Sequence, residues 1–270
     1  MKEHILQVLR QIELDYDVKI LYACESGSRA LGLHSEDSDF DVRFIYIPKP
    51  DWYLSIDQKR DVLEIPKKDK LSIPVDPLLD VSGWELTKAL RLFRKSNPTL
   101  LEWLNSTIIY YQAYSTVGKM IEMTNRIFSP VVCLHHYLHM AKGDFRDATR
   151  GDEPKIKKYF NALRSIFAAK WIEKHLSAPP VDLQKLMEEF IEPGELKDVF
   201  DGLVNKKRAR ERFMPEPALE VLNRYFIKEM ERLETYLGGL KTKNSDPTSS
   251  LDRLFRDTLK EVWNLDVKSD

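Results

Sequence analysis

The chain has 270 residues, 43% hydrophobic and 31% charged, with 42 Lys and Arg against 43 Asp and Glu and a formal net charge of -1. That composition suits two domains, or one catalytic domain with an annex, and it excludes wholesale disorder and a disulfide-stapled mini-protein. Near-neutrality excludes coating of DNA through bulk charge. No apolar run approaches the roughly 18 residues of a membrane span. The start, MKEHILQVLRQIE, has neither an apolar h-region nor a small-residue cleavage site, so a cytoplasmic protein is expected.

In chain order, Ile5, Leu6, Val8, Leu9, Ile12 and Leu14 form a helical stripe over residues 2–14. Val18 to Cys24 reads as a short apolar strand that the turn residues SGS at 26–28 interrupt. FDVRFIYI at 40–47 alternates, with Asp39, Asp41 and Arg43 on one face and Phe40, Val42 and Phe44 on the other. Val62 to Ile65 and Val75 to Val81 are further strand candidates. Gly83 to Lys95 reads as an amphipathic helix capped by Ser82.

From residue 99 the texture turns helical. LLEWL, YQAYSTVGKMIEMTNRIF, CLHHYLHMAKGDF, KIKKYFNALRSIFAAKWIEKHL and ALEVLNRYFIKEMERLETYL carry 3.6-residue patterns, separated by the proline-bearing connectors SAPPVD at 177–182 and MPEP at 214–217. GGLKTKNSDPTSS has linker composition, and LDRLFRDTLKEVWNL at 251–265 reads as an isolated amphipathic helix. The expected organisation is 1–118, 119–240 and 241–270. The first part holds 15 Lys and Arg against 18 Asp and Glu, and the second holds 21 against 19. Cys24 and Cys133 are too far apart for a disulfide framework or a CxxC pattern, and buried thiols are expected.

Chemistry concentrates in ESGSRALGLHSEDSDFDVRFIY at 25–46. Gly27 and Ser28, at the end of a strand, let backbone N–H groups approach a phosphate, and a helix starting near Arg29 would aim its positive end there. Asp39 and Asp41 at i and i+2 share a strand face, about 7 Å apart at Cα. Paired acids at that spacing suit two metal ions that neutralise a triphosphate and activate a hydroxyl. Rival phosphate motifs fail: after GSRALG, Leu33 and His34 stand where a P-loop needs Lys and Ser or Thr, and a dinucleotide fingerprint lacks glycine at position 29.

Gly27, Ser28, Asp39, Asp41 and Val42 resemble, position by position, the motif of the DNA polymerase beta superfamily of nucleotidyltransferases. Its motif is a Gly-Ser turn, a spacer of about ten residues, and Asp-hydrophobic-Asp-hydrophobic on a strand. More narrowly, GSRALGLHSEDSDFDVRFIY and DVSGWELTKALRLFRKSNPTLLEWLNS resemble the YcgL-type predicted nucleotidyltransferases, which are associated with RNA repair. The resemblance covers about residues 20–170.

It implies an α+β fold, with a small mixed sheet flanked by helices and a helical domain after it. It also implies transfer of a nucleotide from a nucleoside triphosphate, with two Mg²⁺ or Mn²⁺ ions and an RNA or tRNA acceptor. A third carboxylate on another strand is required, with Asp76 and Asp80 as candidates. Asp80 is favoured because it ends an apolar strand directly before a helix, whereas Asp76 precedes Pro77 and suits a turn. Arg29 and Arg43 would add charge near the phosphates, Arg43 alternatively forming a simple ion pair with one of the acids.

The family's helical domain carries a Lys-Tyr-Phe-x-x-x-Arg block similar to Lys158 through Arg164. That similarity implies triphosphate or base contacts from Lys157, Lys158, Asn161 and Arg164. Lys157, Asn161 and Arg164 align at i, i+4 and i+7, and the alternative is a solvated basic face. The match also makes Lys95 and Ser96 minor cleft candidates. His135 and His139 have zinc-compatible spacing, but no third ligand is identifiable, and a structural or substrate-contacting role is favoured. NKKRARER at 205–212 is the densest basic cluster, a solvated face or an RNA contact. Two rival functions remain: a nucleotide-sensing or RNA-binding module without turnover, and a transferase acting on a protein or small-molecule hydroxyl.

Overall fold

The computed structural model describes residues 1–34, 38–150, 156–209, 216–241 and 246–265. Helix α1 (Lys2–Tyr16) buries Ile5, Val8, Leu9 and Ile12 and ends at Asp17, whose left-handed backbone (φ 52°) returns its N–H to Glu13. Then follow β1 (Val18–Glu25), the single turn α2 (Gly27–Ala30), β2 (Phe40–Pro48), α3 (Pro50–Tyr53), β3 (Val62–Ile65) and β4 (Leu79–Glu85). Next come α4 (Leu86–Arg94), α5 (Pro98–Leu104) and β5 (Ile109–Gln112). The remainder is helical: α6 (Thr116–Ile127), α7 (Pro130–Thr149), α8 (Ile156–His175), α9 (Leu183–Phe190), α10 (Glu195–Arg208), α11 (Glu216–Gly238) and α12 (Thr248–Trp263). The architecture is α+β, and no helix among the described residues is long and apolar enough to cross a membrane.

The five strands form one sheet in the order β3-β4-β2-β1-β5, with β2 and β4 parallel and the other pairs antiparallel. One face packs on α1: Ile20, Ala23, Val42, Phe44, Tyr46 and Val81 meet Ile5, Val8, Leu9 and Ile12. The other face, through Leu21, Cys24, Ile45 and Ile47, joins an apolar cluster that runs through Phe93, Trp103, Leu134 and Phe167 to Leu233 and Leu254. Alternation lets β1 serve both faces, and a register shift between Ile20 and Tyr22 lets the consecutive Leu21 and Tyr22 join the same cluster. Trp84 stacks on Trp103 at 3.9 Å between ring centroids, joining β4 to α5. Full burial of a Leu, Ile or Phe side chain in such a cluster stabilises by roughly 1.5–3 kcal/mol. Cys24 and Cys133 are both buried and free.

Four sequence expectations need correction. β4 covers 79–85 rather than 75–81, because Asp76 turns the chain there, its carboxylate accepting the Leu78 N–H at 2.8 Å. Helix α4 starts at Leu86, not Gly83: Ser82 to Glu85 continue the pairing with β2, and the cap is Glu85, which accepts the N–H groups of Thr87 and Lys88. Ile109–Gln112, in the part where helical texture is expected from residue 99, is the edge strand beside β1. The C-terminal helix is not isolated. Leu251, Leu254, Thr258 and Val262 of α12 are buried, Thr258 bonds Thr116 at 2.8 Å, and Trp263 Nε1 donates to the Pro48 carbonyl at 2.9 Å.

Candidate active site

Where β1 ends, Ser26 N donates to the Asp41 carbonyl at 2.8 Å and the chain turns through Gly27 at φ +55°. A Cβ on Gly27 would stand 1.9 Å from Asp41 Oδ2, so the glycine is required by both the backbone and the space. Ser28 is half-buried in the turn, and its carbonyl accepts Leu33 N at 2.9 Å. Arg29 does not point freely outward. Its guanidinium donates to the Ser38 carbonyl at 2.7 Å and the Asp39 carbonyl at 3.3 Å, and it lies 3.7 Å over the Phe40 ring, fastening the entry to β2.

Along β2 the face carrying Asp41 and Arg43 continues as Ile45 and Ile47, so a strand that begins polar ends in the core. Parallel pairing sets Asp41 opposite Asp80 on β4. Arg43 Nη2 lies 2.9 Å from Asp41 Oδ1 and 3.5 Å from Asp80 Oδ2, and its Nη1 donates to the Asp80 carbonyl at 2.8 Å. Arg43 thus pairs with both acids. Lys67 adds a 2.8 Å bond to Asp80. Burial works to raise the Asp80 carboxyl, but the Lys67 hydrogen bond and the Arg43 charge outweigh it and hold it below the ordinary carboxylate range. Asp39 is exposed, one residue before β2.

Under this pair lies Glu25, 1% exposed. Its Oε1 accepts the Asp41 N–H at 2.9 Å and its Oε2 accepts the Tyr110 hydroxyl. Burial pushes its carboxyl up, and the Tyr110 and Asp41 hydrogen bonds partly offset this. Glu25, Tyr110 and Lys67 escaped the sequence reading: Glu25 ends an apolar strand, Tyr110 sits in an unrecognised one, and Lys67 hides in a charged run. Beyond α2, a cavity of about 350 Å³ opens between Leu31 to Leu33 and the residues Leu183, Met187 and Val204 of α9 and α10. Its size falls in the range of small-molecule sites, about 300–1,000 Å³.

The sequence matches the RNA repair pathway DNA polymerase beta family over residues 1–257. The chain belongs to that family. It is 47% identical to the YcgL protein of Bacillus subtilis (strain 168) over 263 residues, 97% of this chain and 98% of that one. Among solved structures it is similar to a nucleotidyltransferase-like protein from Exiguobacterium sibiricum 255-15. There the identity is 16% and the TM-score 0.32, with 95% of this chain and 80% of that one covered.

Membership of the polymerase beta family implies a divalent cation, and the residues can be tested against one. Two carboxylates, Asp41 and Asp80, converge on one positive nitrogen of Arg43, a hard-oxygen donor set of the kind Mg²⁺ or Mn²⁺ takes. Among the described residues no three acid, imidazole or thiolate groups gather closely enough to enclose a metal, so Asp39 is not part of a three-acid cluster here. The pair fits a cation that displaces Arg43. Asp76, by contrast, is occupied in its own turn. Asp80→Asn is therefore expected to lower transfer at least tenfold more than Asp76→Asn, as read by turnover of the purified variants. The reverse order would make Asp76 the third acid.

The α8 candidates engage elsewhere. Lys158 pairs with Asp144 at 2.8 Å and Asp147 at 3.5 Å on α7, which raises its pKa through the Asp144 hydrogen bond and charge. Arg164 lies 2.6 Å from Glu102, which also accepts the Tyr137 hydroxyl at 3.0 Å, while the buried Arg164 Nε has no hydrogen-bond partner among the described residues. Lys157 is exposed and Asn161 half-buried. The described ion pairs of Lys158 and Arg164 thus run to α7 and α5, not to Asp39, Asp41 or Asp80. Lys95 is exposed, and Ser96 is buried, its hydroxyl accepting Ser129 N at 2.8 Å. His135, His136 and His139 are exposed on α7, and partial desolvation of the His136 ring by its neighbours, with the other two imidazoles, lowers its pKa. Residues 210–212 of the basic run lie outside the described residues.

Proposed function

We propose that the protein is a metal-dependent nucleotidyltransferase that moves a nucleoside monophosphate from its triphosphate to an acceptor hydroxyl, with an RNA or tRNA end as acceptor. The observation that carries this reading is the in-register pair Asp41 and Asp80, converging on one cationic nitrogen beside a glycine turn that admits no side chain. Asp41 and Asp80, joined by Asp39 once its exposed carboxylate turns in toward them, would hold two Mg²⁺ or Mn²⁺ ions, which supply charge neutralisation at the triphosphate. The Gly27 and Ser28 turn anchors the β- and γ-phosphates. Arg43 and Lys67, released from the acids, turn their charge to the phosphates, where it stabilises the transition state. The acceptor oxygen bonds to the α-phosphorus as the bond to the bridging oxygen breaks and pyrophosphate leaves. Asp80 draws off the acceptor proton.

Residues 1–118 serve as the catalytic domain and 119–240 as the acceptor-side helical domain, with Lys157, Lys158, Asn161 and Arg164 of α8 on the nucleotide side. For Lys158 and Arg164 this requires exchange of their present carboxylate partners for phosphate. The deciding experiment incubates the protein with each labelled triphosphate, Mg²⁺ or Mn²⁺, and a pool of RNA and tRNA. Label on RNA is expected. Label on protein or a small molecule would replace the acceptor, and no labelled species with any triphosphate would favour a sensing module.

An RNA acceptor also predicts salt dependence. RNA affinity is expected to fall linearly in log-log form, with a slope of about -0.7 for each phosphate neutralised on a single strand. Joint substitution of Lys206, Lys207, Arg208 and Arg210 by alanine is expected to flatten that slope and leave triphosphate binding unchanged. A filter-binding series in salt reads both. An unaltered slope would make NKKRARER a solvated face.

A further inference from the structure

Glu25 sits where the β1 and β2 ladder ends. Its own backbone pairs with Val42, and the next residue, Ser26, still donates to the Asp41 carbonyl, but at Gly27 the chain turns away. The Asp41 N–H therefore meets no further strand carbonyl from β1, and the Glu25 carboxylate takes that place at 2.9 Å. The carboxylate is itself held. Tyr110, delivered by β5 on the far side of β1, donates its hydroxyl to the second oxygen, Glu25 N donates to the Ile108 carbonyl at 2.9 Å, and Ser106 Oγ donates to the Glu25 carbonyl at 2.7 Å.

A carboxylate 1% exposed is a costly way to satisfy one N–H group, since burying an acid carries a penalty that an apolar side chain avoids. What the arrangement gains is a fixed backbone under Asp41, whose own carboxylate lies against the Gly27 turn, where an added Cβ would stand 1.9 Å from its Oδ2. We propose that Glu25, braced by Tyr110, is a positioning residue that sets the Asp41 carboxylate for the cation and the triphosphate. This rests on the transferase reading above. Glu25 touches neither nucleotide nor metal in this role. It acts through the Asp41 backbone, and small misplacements of a reacting constellation are costly, about 10²-fold for roughly 1 Å.

The test compares Glu25→Ala, Glu25→Gln and Tyr110→Phe with the parent chain. The readouts are Mn²⁺ binding by electron paramagnetic resonance, kcat and KM for the triphosphate, and melting temperature. Glu25→Ala is expected to bind Mn²⁺ at least tenfold more weakly and to lose kcat with KM changed less than threefold. Glu25→Gln keeps an oxygen for the Asp41 N–H and an amide for Tyr110, so it is expected to recover Mn²⁺ binding and kcat to within about threefold of the parent. Tyr110→Phe is expected to fall between them, and it tests the idea even where the alanine variant does not fold.

Parent-level Mn²⁺ binding and kcat in folded Glu25→Ala, or in Tyr110→Phe if the alanine variant is unfolded, would overturn the proposal. So would a glutamine variant as impaired as the alanine one, since charge rather than the hydrogen bond would then be the contribution. A parent chain that neither binds Mn²⁺ nor transfers would overturn the transferase reading and this inference with it. A fully active parent beside an unaffected Glu25→Ala would overturn this inference alone.

Discussion

Asp41→Ala is expected to lower nucleotidyl transfer by about 10³-fold or more while leaving the melting temperature within a few degrees of the parent. The rate effect follows from the place of Asp41: it faces Asp80 across β2 and β4, and its carboxylate lies against the Gly27 turn. A group supporting several kcal/mol of charge neutralisation in the transition state costs tenfold for each 1.4 kcal/mol removed. The small stability effect follows from the electrostatics. Asp41 is 26% exposed, so its ion pair with Arg43 contributes about 0–1 kcal/mol, and Arg43 keeps Asp80 as a partner. Removing one of two neighbouring acids also relieves their repulsion. Labelled-nucleotide transfer and a thermal melt on the same preparation check both halves. Turnover near the parent level would remove Asp41 from the reaction.

Strand β2 was legible because a half-buried strand writes its two faces into alternate residues, and FDVRFIYI does so without interruption. The same pattern placed Asp41 and Arg43 on one face. Asp80 is singled out for a reason the structure does not share: the sequence sets it at the end of an apolar strand directly before a helix, whereas it is the second residue of β4 and stands opposite Asp41 through the parallel pairing with β2. β5 was not legible. It is four residues long at the sheet edge, with Ile109 45% and Tyr111 36% exposed, so IYYQ shows no alternation to distinguish it from the helices around it.

The missing alternation in β5 also conceals Tyr110, and with it the brace under Asp41. Arg164 shows a further limit. Its place on α8 was readable from helical spacing, but its ion pair spans from residue 164 to Glu102 on α5, a long-range contact that no local pattern announces. The start of α4 erred for a local reason. Ser82 is a good cap by type, yet strand pairing through Tyr46 and Glu85 outweighs that preference, and a buried Glu85 does the capping instead.

Gly27→Ala is expected to impair transfer almost as severely as Asp41→Ala, by about 10²–10³-fold, through geometry rather than chemistry. Two effects combine. At φ +55° any side chain costs roughly 1–2 kcal/mol of backbone strain. The added methyl would also sit 1.9 Å from Asp41 Oδ2 and 2.7 Å from its Cγ. Rotating the Asp41 carboxylate aside gives up its 2.9 Å pair with Arg43 and still leaves Asp41 Cβ 3.1 Å from the new methyl, on a backbone tied to Ser26 and Glu25. Either the carboxylate leaves its place facing Asp80 or the turn at Gly27 opens. Gly32→Ala separates the two effects. Gly32 also has a left-handed backbone, φ +73°, but its nearest neighbour to a new Cβ is Asp182 Oδ1 at 3.8 Å, an ordinary contact. Gly32→Ala is therefore expected to lower the melting temperature by a few degrees, at about 2–4 °C per kcal/mol for a chain of this size, and to retain transfer within about threefold. If both alanine variants lose transfer equally, strain in the segment after β1 explains the loss. If neither does, the turn at Gly27 does not shape the site.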